Sequence, residues 1–283
     1  MSEQKVCFVI GAPRSGTNML RDFLCNHPDL FTFDCDETPY IWRVGNQLSE
    51  DDYVNLDGYS AQFSSYMKAI FLNYINKLSM PNGIFIEKTC ANSLRVKFLS
   101  KLFPEAKFVF IFRSGIDVVS SARKKQTSKN INFSYLIKKI KYIPVSQYCL
   151  IFFNFLHDRL VRRHKPWGPR ILENYSLILG KDNLPYSLLQ WKECVRVSIY
   201  DQQSLPPDRY VNIVYEQFVE NPDKFVPLLA NLLGVSQAGF LPGLKCIHTS
   251  SIGKGLHDDT EKFTKECLSE IKIIDQMISS FWV

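Results

Sequence analysis

The residues from Val9 to Asn18 read Val-Ile-Gly-Ala-Pro-Arg-Ser-Gly-Thr-Asn, and their types suit the binding of a phosphate group. Gly11 and Gly16 allow the backbone to turn tightly and to point successive N–H groups at an anion. An apolar run precedes this turn and a helical pattern follows it, so the positive end of a helix would attract the same anion. Arg14 and the hydroxyls of the serine and threonine beside it would donate hydrogen bonds to the phosphate oxygens.

A second candidate anion site follows the apolar run Lys107–Phe112. Arg113 stands directly after this run, and Ser121 lies eight residues further on, about two turns into the next predicted helix. An arginine at a strand end and a hydroxyl on the adjoining helix can together hold a second phosphate. Asp117, between them, is better suited to capping or orienting than to binding an anion. The alternative is that Arg113 is paired with a helix carboxylate and binds no ligand.

Strands that alternate with helices would position these groups. Four runs have the character of strands, and three of them are almost continuously apolar, as parallel strands buried on both faces are. The four runs are Val6–Ile10, Ile84–Ile86, Lys107–Phe112 and Tyr210–Val214. The alternation predicts an α/β protein with a layered, mostly parallel sheet. Because ligands of such sheets lie outside the carboxyl ends of the strands, we expect residues 11–17, residues 87–89, Arg113 and Tyr215 to converge there.

Apolar residues at helical spacing fill the intervals between the strands. One such pattern runs from Phe63 to Leu78, and another runs from Leu94 to Leu102 and ends at a proline. A third helix is predicted to begin at the pair Asn221-Pro222, a cap followed by proline at the first helical position, and to end at Gly234.

The composition indicates one soluble globular domain over residues 1–283, with an insertion at about 125–190. The formal net charge of +6 favours an anionic ligand, but the chain carries no recognisable nucleic-acid-binding module. The polar start and the short apolar run before Gly11 match neither a signal peptide nor a membrane span. The eight cysteines are scattered without a Cys-x-x-Cys pair, so we expect a reducing, cytoplasmic location. The histidines show no metal-ligand spacing, so no metal is expected.

Both anion motifs, in this order, resemble those of sulfotransferases that use 3′-phosphoadenosine-5′-phosphosulfate (PAPS), and in particular the bacterial and tyrosylprotein branch. The resemblance covers residues 6 to about 256 and is weakest at 125–190. It implies a P-loop-like three-layer fold with a central sheet flanked by helices and a helical lid insertion. Further matching segments are Glu87-Lys88-Thr89, residues 98–108, Trp191, Tyr210–Phe218, Asn221-Pro222 and Leu232–Gly234.

The resemblance also implies roles for individual residues. Arg14 and the loop amides would hold the 5′-phosphosulfate, Arg113 and Ser121 would hold the 3′-phosphate, and Lys88 would stabilise the leaving phosphate oxygen. A late loop, residues 249–254, would close over the nucleotide. The donor-binding residues implied in this way are Arg14, Ser15, Gly16, Thr17, Asn18, Arg113, Ser121, Tyr215, Ser250, Ser251 and Lys254. After transfer, the product would be 3′,5′-adenosine bisphosphate.

Sulfuryl transfer needs a carboxylate to take the acceptor proton and cations to absorb developing charge. Lysine, arginine and backbone dipoles can absorb this charge without a metal. The related enzymes place the base shortly after a His-Pro pair, and Glu37 is the best match. The segment after His27-Pro28 is about two residues longer than expected, so Asp34 and Asp36 stay candidates. Glu87 is a rival carboxylate. Lys88 and Arg14 complete the catalytic set that the resemblance implies.

The acceptor would be a hydroxyl or amine of a small molecule, a glycan or a lipid. Residues 142–156 are rich in aromatic and aliphatic side chains, with lysines before them and arginines after them. This segment is expected to be a substrate lid, an insertion packed on the core, or, through residues 136–165, a weak contact with a membrane surface. Two other functions stay open: a nucleotide kinase or NTPase, although the Gly-Lys-Ser/Thr signature is absent, and a non-catalytic nucleotide-binding module.

Overall fold

A five-stranded parallel sheet forms the centre of the molecule, with its strands in the order β2-β3-β1-β4-β5. The computed structural model describes residues 4–44, 51–54, 61–78, 80, 82–127, 138–161, 167–171, 183–255 and 263–280. The strands are β1 (Val6–Ile10), β2 (Leu30–Phe31), β3 (Ile84–Glu87), β4 (Lys107–Phe112) and β5 (Tyr210–Val214). The predicted strands are therefore confirmed, and β3 extends one residue further, to Glu87.

The register of the sheet aligns the strand ends that carry the candidate residues. In β1, which lies between β3 and β4, Phe8 pairs with Glu87 and Ile10 pairs with Phe110. All five residues of β1 are buried because helices cover both faces of the sheet. The loops that follow β1, β3, β4 and β5 consequently leave the sheet at one edge.

Helices pack on both sides of the sheet. They are α1 (Thr17–Leu24), α2 (Ala61–Asn76), α3 (Val96–Leu102), α4 (Gly115–Thr127), α5 (Tyr148–Val161), α6 (Leu184–Gln202), α7 (Tyr215–Glu220), α8 (Val226–Leu233), α9 (Leu241–Leu244) and α10 (Lys265–Ser280). On one side, α2, α3, α4, α6 and α10 enclose an aromatic core that includes Phe8, Trp42 and Trp191. On the other, α1, α7 and α8 enclose a core that includes Phe23 and Phe218. The three-layer α/β fold predicted from the sequence is thus confirmed.

One predicted helix begins later than the sequence pattern suggested. Residues Pro222–Lys224 form only a short 3₁₀ turn, and α8 begins at Val226. The cause is Pro227, which has no N–H to donate to the carbonyl four residues earlier and therefore cannot lie inside a helix that starts at Pro222. The predicted end is confirmed, since Gly234 terminates α8 with a φ of 67°.

The predicted insertion at 125–190 is described in part. Tyr142 and Ile143 are buried, whereas α5 carries exposed aromatic side chains. The helix α6 begins inside the predicted range, yet its residues Leu184, Leu188 and Trp191 belong to the main core. Residues 128–137, 162–166 and 172–182 lie outside the described part of the chain. Within the described residues, no helix combines the length and the apolar character needed to cross a membrane.

Candidate active site at the carboxyl ends of the strands

The loop between β1 and α1 has the shape of an anion cradle. Arg14 has a φ of 73° and Gly16 a φ of 94°, and the N–H of Ser15 donates to the carbonyl of Ala12 at 3.1 Å. Among the described residues, no side chain caps the start of α1. The buried hydroxyl of Ser15 also has no hydrogen-bond partner there. The N-terminus of α1 and this hydroxyl are therefore able to receive an oxyanion.

Two close approaches explain why the loop needs its glycines. A Cβ atom on Gly16 would lie 2.4 Å from a ring carbon of Tyr215, and a Cβ atom on Gly11 would lie 2.7 Å from the carbonyl oxygen of Ile111. The positive φ of Gly16 is itself unfavourable for other residues. The loop is thus packed between the end of β4 and the ring of Tyr215, and larger residues at these positions would displace it.

Arg113 lies beside this loop, as the sequence predicted for a strand-end group. Its guanidinium stacks 4.3 Å above the centroid of the Tyr215 ring and donates to the carbonyl of Arg14 at 3.2 Å. It also pairs with Asp117 at 3.2 Å. Its Nε is buried without a hydrogen-bond partner among the described residues, and Glu216 lies 4.0 Å from it. Arg113 is therefore both paired with a helix carboxylate and placed next to the anion cradle.

The two candidate anion sites adjoin each other. The Nε of Arg14 donates to the hydroxyl of Ser121 at 2.9 Å, although 107 residues separate the two in sequence. Since Arg113 also donates to the backbone of Arg14, the loop after β1 contacts both groups of the second candidate site, and the two sites share one surface. Two phosphates of one nucleotide could be held on such a surface.

The late loop is tied to the same place by Asp117. Its two carboxylate oxygens accept the N–H groups of Gly253 at 2.8 Å and Gly255 at 2.7 Å. The carbonyl of Ser251 accepts a hydrogen bond from Arg113. Asp117 therefore orients the late loop, which is one of the two roles that the sequence analysis preferred for it. Ser250 and Lys254 are exposed on this loop, close along the chain to the residues that it anchors.

A buried lysine and a glutamate meet at the end of β3. The Nζ of Lys88 donates to Oε1 of Glu37 at 3.1 Å, and the side chain of Lys88 is only 1% exposed. The N–H of Cys90 donates to the same oxygen at 3.3 Å. Burial alone would raise the pKa of Glu37, but the Lys88 ammonium and a hydrogen bond from the Cys90 side chain together hold it below its ordinary value. Burial lowers the pKa of Lys88, but Glu37, Cys90 and Asp36 together outweigh burial, and the pKa is raised.

The two aspartates that rivalled Glu37 are engaged by other partners. Arg21 donates to Oδ1 of Asp36 at 2.7 Å, and although burial opposes it, the pKa of Asp36 is lowered to about 2 by Lys88 and Arg21. Asp34 accepts hydrogen bonds from the Tyr142 hydroxyl at 2.5 Å and from Lys141 at 3.3 Å. The sequence analysis missed Arg21, which has no distinguishing neighbours on its helix.

The hydrogen bonds of Asp34 have a further consequence, because Tyr142 and Lys141 belong to the insertion. They fasten this part of the insertion onto the segment that carries Glu37. Lys139, from the same part, is close enough to Glu37 and Asp36 for them to raise its pKa, although burial makes the net shift downward. The insertion therefore borders the segment that carries Glu37.

Among the residues that the structure describes, no group of three or more histidine, cysteine, aspartate or glutamate side chains could hold a metal ion. Cationic groups at the site are Arg14, Lys88 and Arg113, and Arg21 is linked to Lys88 because both pair with Asp36. The fold and this arrangement define a class of protein: an α/β protein with a P-loop-like phosphate cradle after β1, a second cationic anchor after the neighbouring strand β4, and a lysine–glutamate pair at the end of β3, on the other side of β1.

The comparisons with known proteins place the chain more closely. It belongs to the sulfotransferase family, whose sequence model matches residues 7–160. It is 33% identical to human protein-tyrosine sulfotransferase 1 over 121 residues, a match that covers 40% of this chain and 32% of that protein. It is also 22% identical to chicken (Gallus gallus) protein-tyrosine sulfotransferase 2 over 289 aligned positions, which cover 99% of this chain and 64% of that protein. The chain thus spans less than two thirds of these relatives.

Solved structures support the fold. The sulfotransferase domain from the olefin synthase of Synechococcus PCC 7002 superposes with a TM-score of 0.56 at 16% identity, over 98% of this chain and 97% of that domain. The sulfotransferase domain from the curacin biosynthetic pathway gives a TM-score of 0.54 at 15% identity and covers 99% of both chains. At these identities the similarity establishes the architecture and not the substrates.

Proposed function

We propose that this chain is a sulfotransferase that moves a sulfuryl group from PAPS to a hydroxyl or amine acceptor, with Glu37 as the general base. The observation that carries the proposal is the contact of 3.1 Å between Lys88 and Glu37, next to a loop built to cradle a phosphate. Family membership supports the reaction class. The donor, the base and the acceptor are inferred from the site.

The residues around the cradle fit a donor with phosphates at both ends of an adenosine. Arg14, the hydroxyl of Ser15 and the N–H groups from Gly16 to Asn18 would bind the 5′ end. Arg113 and Ser121 would bind the 3′-phosphate, and Tyr215 would line the nucleotide site. Among the described residues, the hydroxyl of Ser15 and the Nε of Arg113 are both buried without a hydrogen-bond partner, as groups that receive an anionic ligand would be.

Lys88 and Glu37 would divide the chemistry between them. The acceptor oxygen or nitrogen forms a bond to sulfur while the bond from sulfur to the 5′-phosphate oxygen breaks. Glu37 takes the proton of the acceptor, and the Lys88 ammonium stabilises the negative charge that develops on the leaving phosphate oxygen. The lowered pKa of Glu37 keeps this base ionised at neutral pH. Arg14 adds positive charge on the side of the cradle.

The acceptor would enter beside the insertion, because Tyr142 and Lys141 pack on the segment that carries Glu37. We propose a small molecule, a glycan or a lipid as the acceptor. The insertion also exposes apolar side chains, with Val145 80% and Phe153 66% exposed, and Lys138 of the same insertion is exposed as well. This surface would suit a weak contact with an anionic membrane. Residues 136–137 and 162–165 of the predicted contact lie outside the described residues.

A vesicle experiment tests the membrane contact. Wild type should sediment with phosphatidylserine vesicles more than with phosphatidylcholine vesicles, and the double variant Phe152→Ser/Phe153→Ser should lose this binding. Equal sedimentation of wild type and variant would refute the contact.

Thermal-shift measurements test the donor. We expect 3′,5′-adenosine bisphosphate to raise the melting temperature, and Mg²⁺-ATP at the same concentration to leave it nearly unchanged, since only the bisphosphate fills both anion sites. A kinase or NTPase would give the opposite result. Labelled PAPS incubated with tyrosine peptides, glycans, lipids and small alcohols and amines then identifies the acceptor class. Bisphosphate binding without transfer to any acceptor would favour a non-catalytic module.

A further inference from the structure

Glu87, the last residue of β3, is a buried carboxylate that the proposed reaction does not use. It is 2% exposed, and four neutral donors surround it. Its Oε1 accepts hydrogen bonds from the Thr89 hydroxyl at 2.7 Å, the Trp42 indole at 3.0 Å and the Thr38 hydroxyl at 3.4 Å. Its Oε2 accepts the amide of Asn92 at 2.7 Å. Both oxygens of Glu87 are thus engaged by donors of the protein itself, which argues against the sequence-based alternative that it is the base.

The four donors come from two separate segments. Thr38 and Trp42 follow Glu37, whereas Thr89 and Asn92 follow Lys88. A further hydrogen bond, from the N–H of Thr38 to the hydroxyl of Thr89 at 3.1 Å, joins the same two segments. Glu37 directly precedes Thr38, and Lys88 directly precedes Thr89, so the Thr38–Thr89 hydrogen bond lies next to both members of the reacting pair.

Through these hydrogen bonds Glu87 holds Thr38 and Thr89, the residues that directly follow Glu37 and Lys88. Glu87 belongs to a strand that is hydrogen-bonded to β1, so it cannot move without disturbing the sheet. Trp42 is itself fully buried and its carbonyl accepts Nη1 of Arg95 at 2.8 Å. Without the carboxylate, two hydroxyls, an indole N–H and an amide would lose their common acceptor in the interior, and the two segments would have to rearrange.

We propose that Glu87 is a positioning residue that sets the separation between Lys88 and Glu37. This inference rests on the proposed sulfotransferase function for its catalytic consequence, but not for its structural one. The ammonium of Lys88 and the carboxylate of Glu37 must be held close together for the transfer, and the hydrogen bonds of Glu87 hold the segments on which they stand. The effect works through geometry, because the groups that donate hydrogen bonds to Glu87 among the described residues are neutral.

The replacement Glu87→Gln keeps the shape of this centre. The carbonyl oxygen of the glutamine can accept from Thr89 and Trp42. Its NH₂ group would face Asn92, whose Oδ1 is buried without a partner among the described residues, so Asn92 can turn its amide and accept instead. Glu87→Ala removes every one of these hydrogen bonds. The pair of variants separates the geometry of the centre from its charge.

The control is Asp201, a buried carboxylate on α6 that accepts the N–H of Lys97 at 2.9 Å. Asp201→Ala should lower stability in the same way that the loss of any buried acceptor does. It should leave turnover unchanged at temperatures where the protein is folded, because Asp201 bonds to α3 and not to the segments of the reacting pair.

The experiment measures kcat, the Kd for 3′,5′-adenosine bisphosphate, and the Lys88–Glu37 distance in crystals of each variant, all well below the melting temperature. Glu87→Ala should lower kcat about 10- to 100-fold, with Kd changed little, since a displacement of about 1 Å has such an effect. Its crystals should show Lys88 and Glu37 further apart. Glu87→Gln should restore both kcat and the distance, and Asp201→Ala should resemble wild type in both.

Several outcomes would overturn the inference. It is wrong if Glu87→Ala keeps the wild-type distance and kcat, if Glu87→Gln fails as completely as Glu87→Ala, or if Asp201→Ala loses as much turnover. A wild-type protein that transfers no sulfuryl group would instead refute the proposed function. In that case the crystallographic distance in the Glu87 variants still decides whether Glu87 positions the pair.

Discussion

Replacement of Glu37 by glutamine tests the assignment of the base and changes little else in the site. The glutamine keeps the length of the side chain and an oxygen that can accept from Lys88 and the Cys90 N–H, but it cannot take a proton. General-base catalysis of this kind contributes about 10²- to 10⁴-fold, so kcat should fall by that factor. The Kd for 3′,5′-adenosine bisphosphate should change little, because the proposal assigns the two ends of the nucleotide to Arg14 and Arg113 and not to Glu37.

The stability of the Glu37→Gln variant can be anticipated from the same contacts. Lys88 is 1% exposed and loses an ionic partner at 3.1 Å, but Asp36 stays 3.6 Å from its Nζ. The loss of a charged hydrogen bond with one carboxylate still nearby should cost about 1–3 kcal/mol. In a protein of this size that lowers the melting temperature by about 2–10 °C. Turnover should therefore be measured at a temperature where both proteins are fully folded.

The matched controls are Asp36→Asn and Asp34→Asn, the other two candidates. Arg21 binds Asp36 and Tyr142 binds Asp34, so each of the two asparagine variants should lower kcat far less than Glu37→Gln does. The assignment is refuted if Glu37→Gln turns over within about threefold of wild type while one of the aspartate variants falls 100-fold. The pH profile gives a second check. Because the folded-state pKa of Glu37 lies below 4.5, the rate should fall only as the pH drops through that lowered value.

Three further predictions concern the donor site and its supports. Arg113→Ala should weaken bisphosphate binding about 10- to 100-fold in calorimetry, since it removes charge-assisted hydrogen bonds, and unchanged affinity would contradict the role assigned to it. Gly16→Ala should abolish this binding, because its Cβ would lie 2.4 Å from the ring of Tyr215, and a variant that binds normally would refute the packing argument. Asp275 on α10 accepts the N–H of Gly115 at 3.1 Å. Burial raises its pKa to about 6, so its protonated form favours folding, and this stabilisation is lost as the pH rises from about 4 through 6. The gain in melting temperature of Asp275→Asn over wild type should therefore grow between pH 4 and pH 6, and a difference that is independent of pH would contradict the shift.

Much of the fold could be predicted because its signals are local. Parallel strands buried on both faces produce runs of apolar residues, and the strands β1, β4 and β5 were found with their observed bounds. The anion-binding turn after β1 could be predicted because its two glycines and its arginine lie within six consecutive residues. The strand β2 was missed because Leu30–Phe31 is too short to form a pattern. The late start of α8 could have been predicted from Pro227, which the sequence analysis did not consider.

The contacts that organise the site could not be read from the sequence. The hydrogen bonds from Gly253 and Gly255 to Asp117 span more than 130 residues, and no local pattern announces them. Glu87 illustrates the same limit. The sequence does not show whether a carboxylate at the end of a strand faces a ligand or the interior. Glu87 faces the interior, where Trp42 and Asn92 donate hydrogen bonds to it. The three candidates for the base could be reduced to Glu37 only from the structure, in which Arg21 binds Asp36 and Tyr142 binds Asp34.

A crystal structure with bound 3′,5′-adenosine bisphosphate tests the central claim most directly. The account predicts the 5′-phosphate in the loop of residues 11–18, within hydrogen-bond distance of Lys88, and the 3′-phosphate between Arg113 and Ser121. A nucleotide bound with its phosphates away from Arg14 and Arg113, or in the reverse orientation, would contradict it.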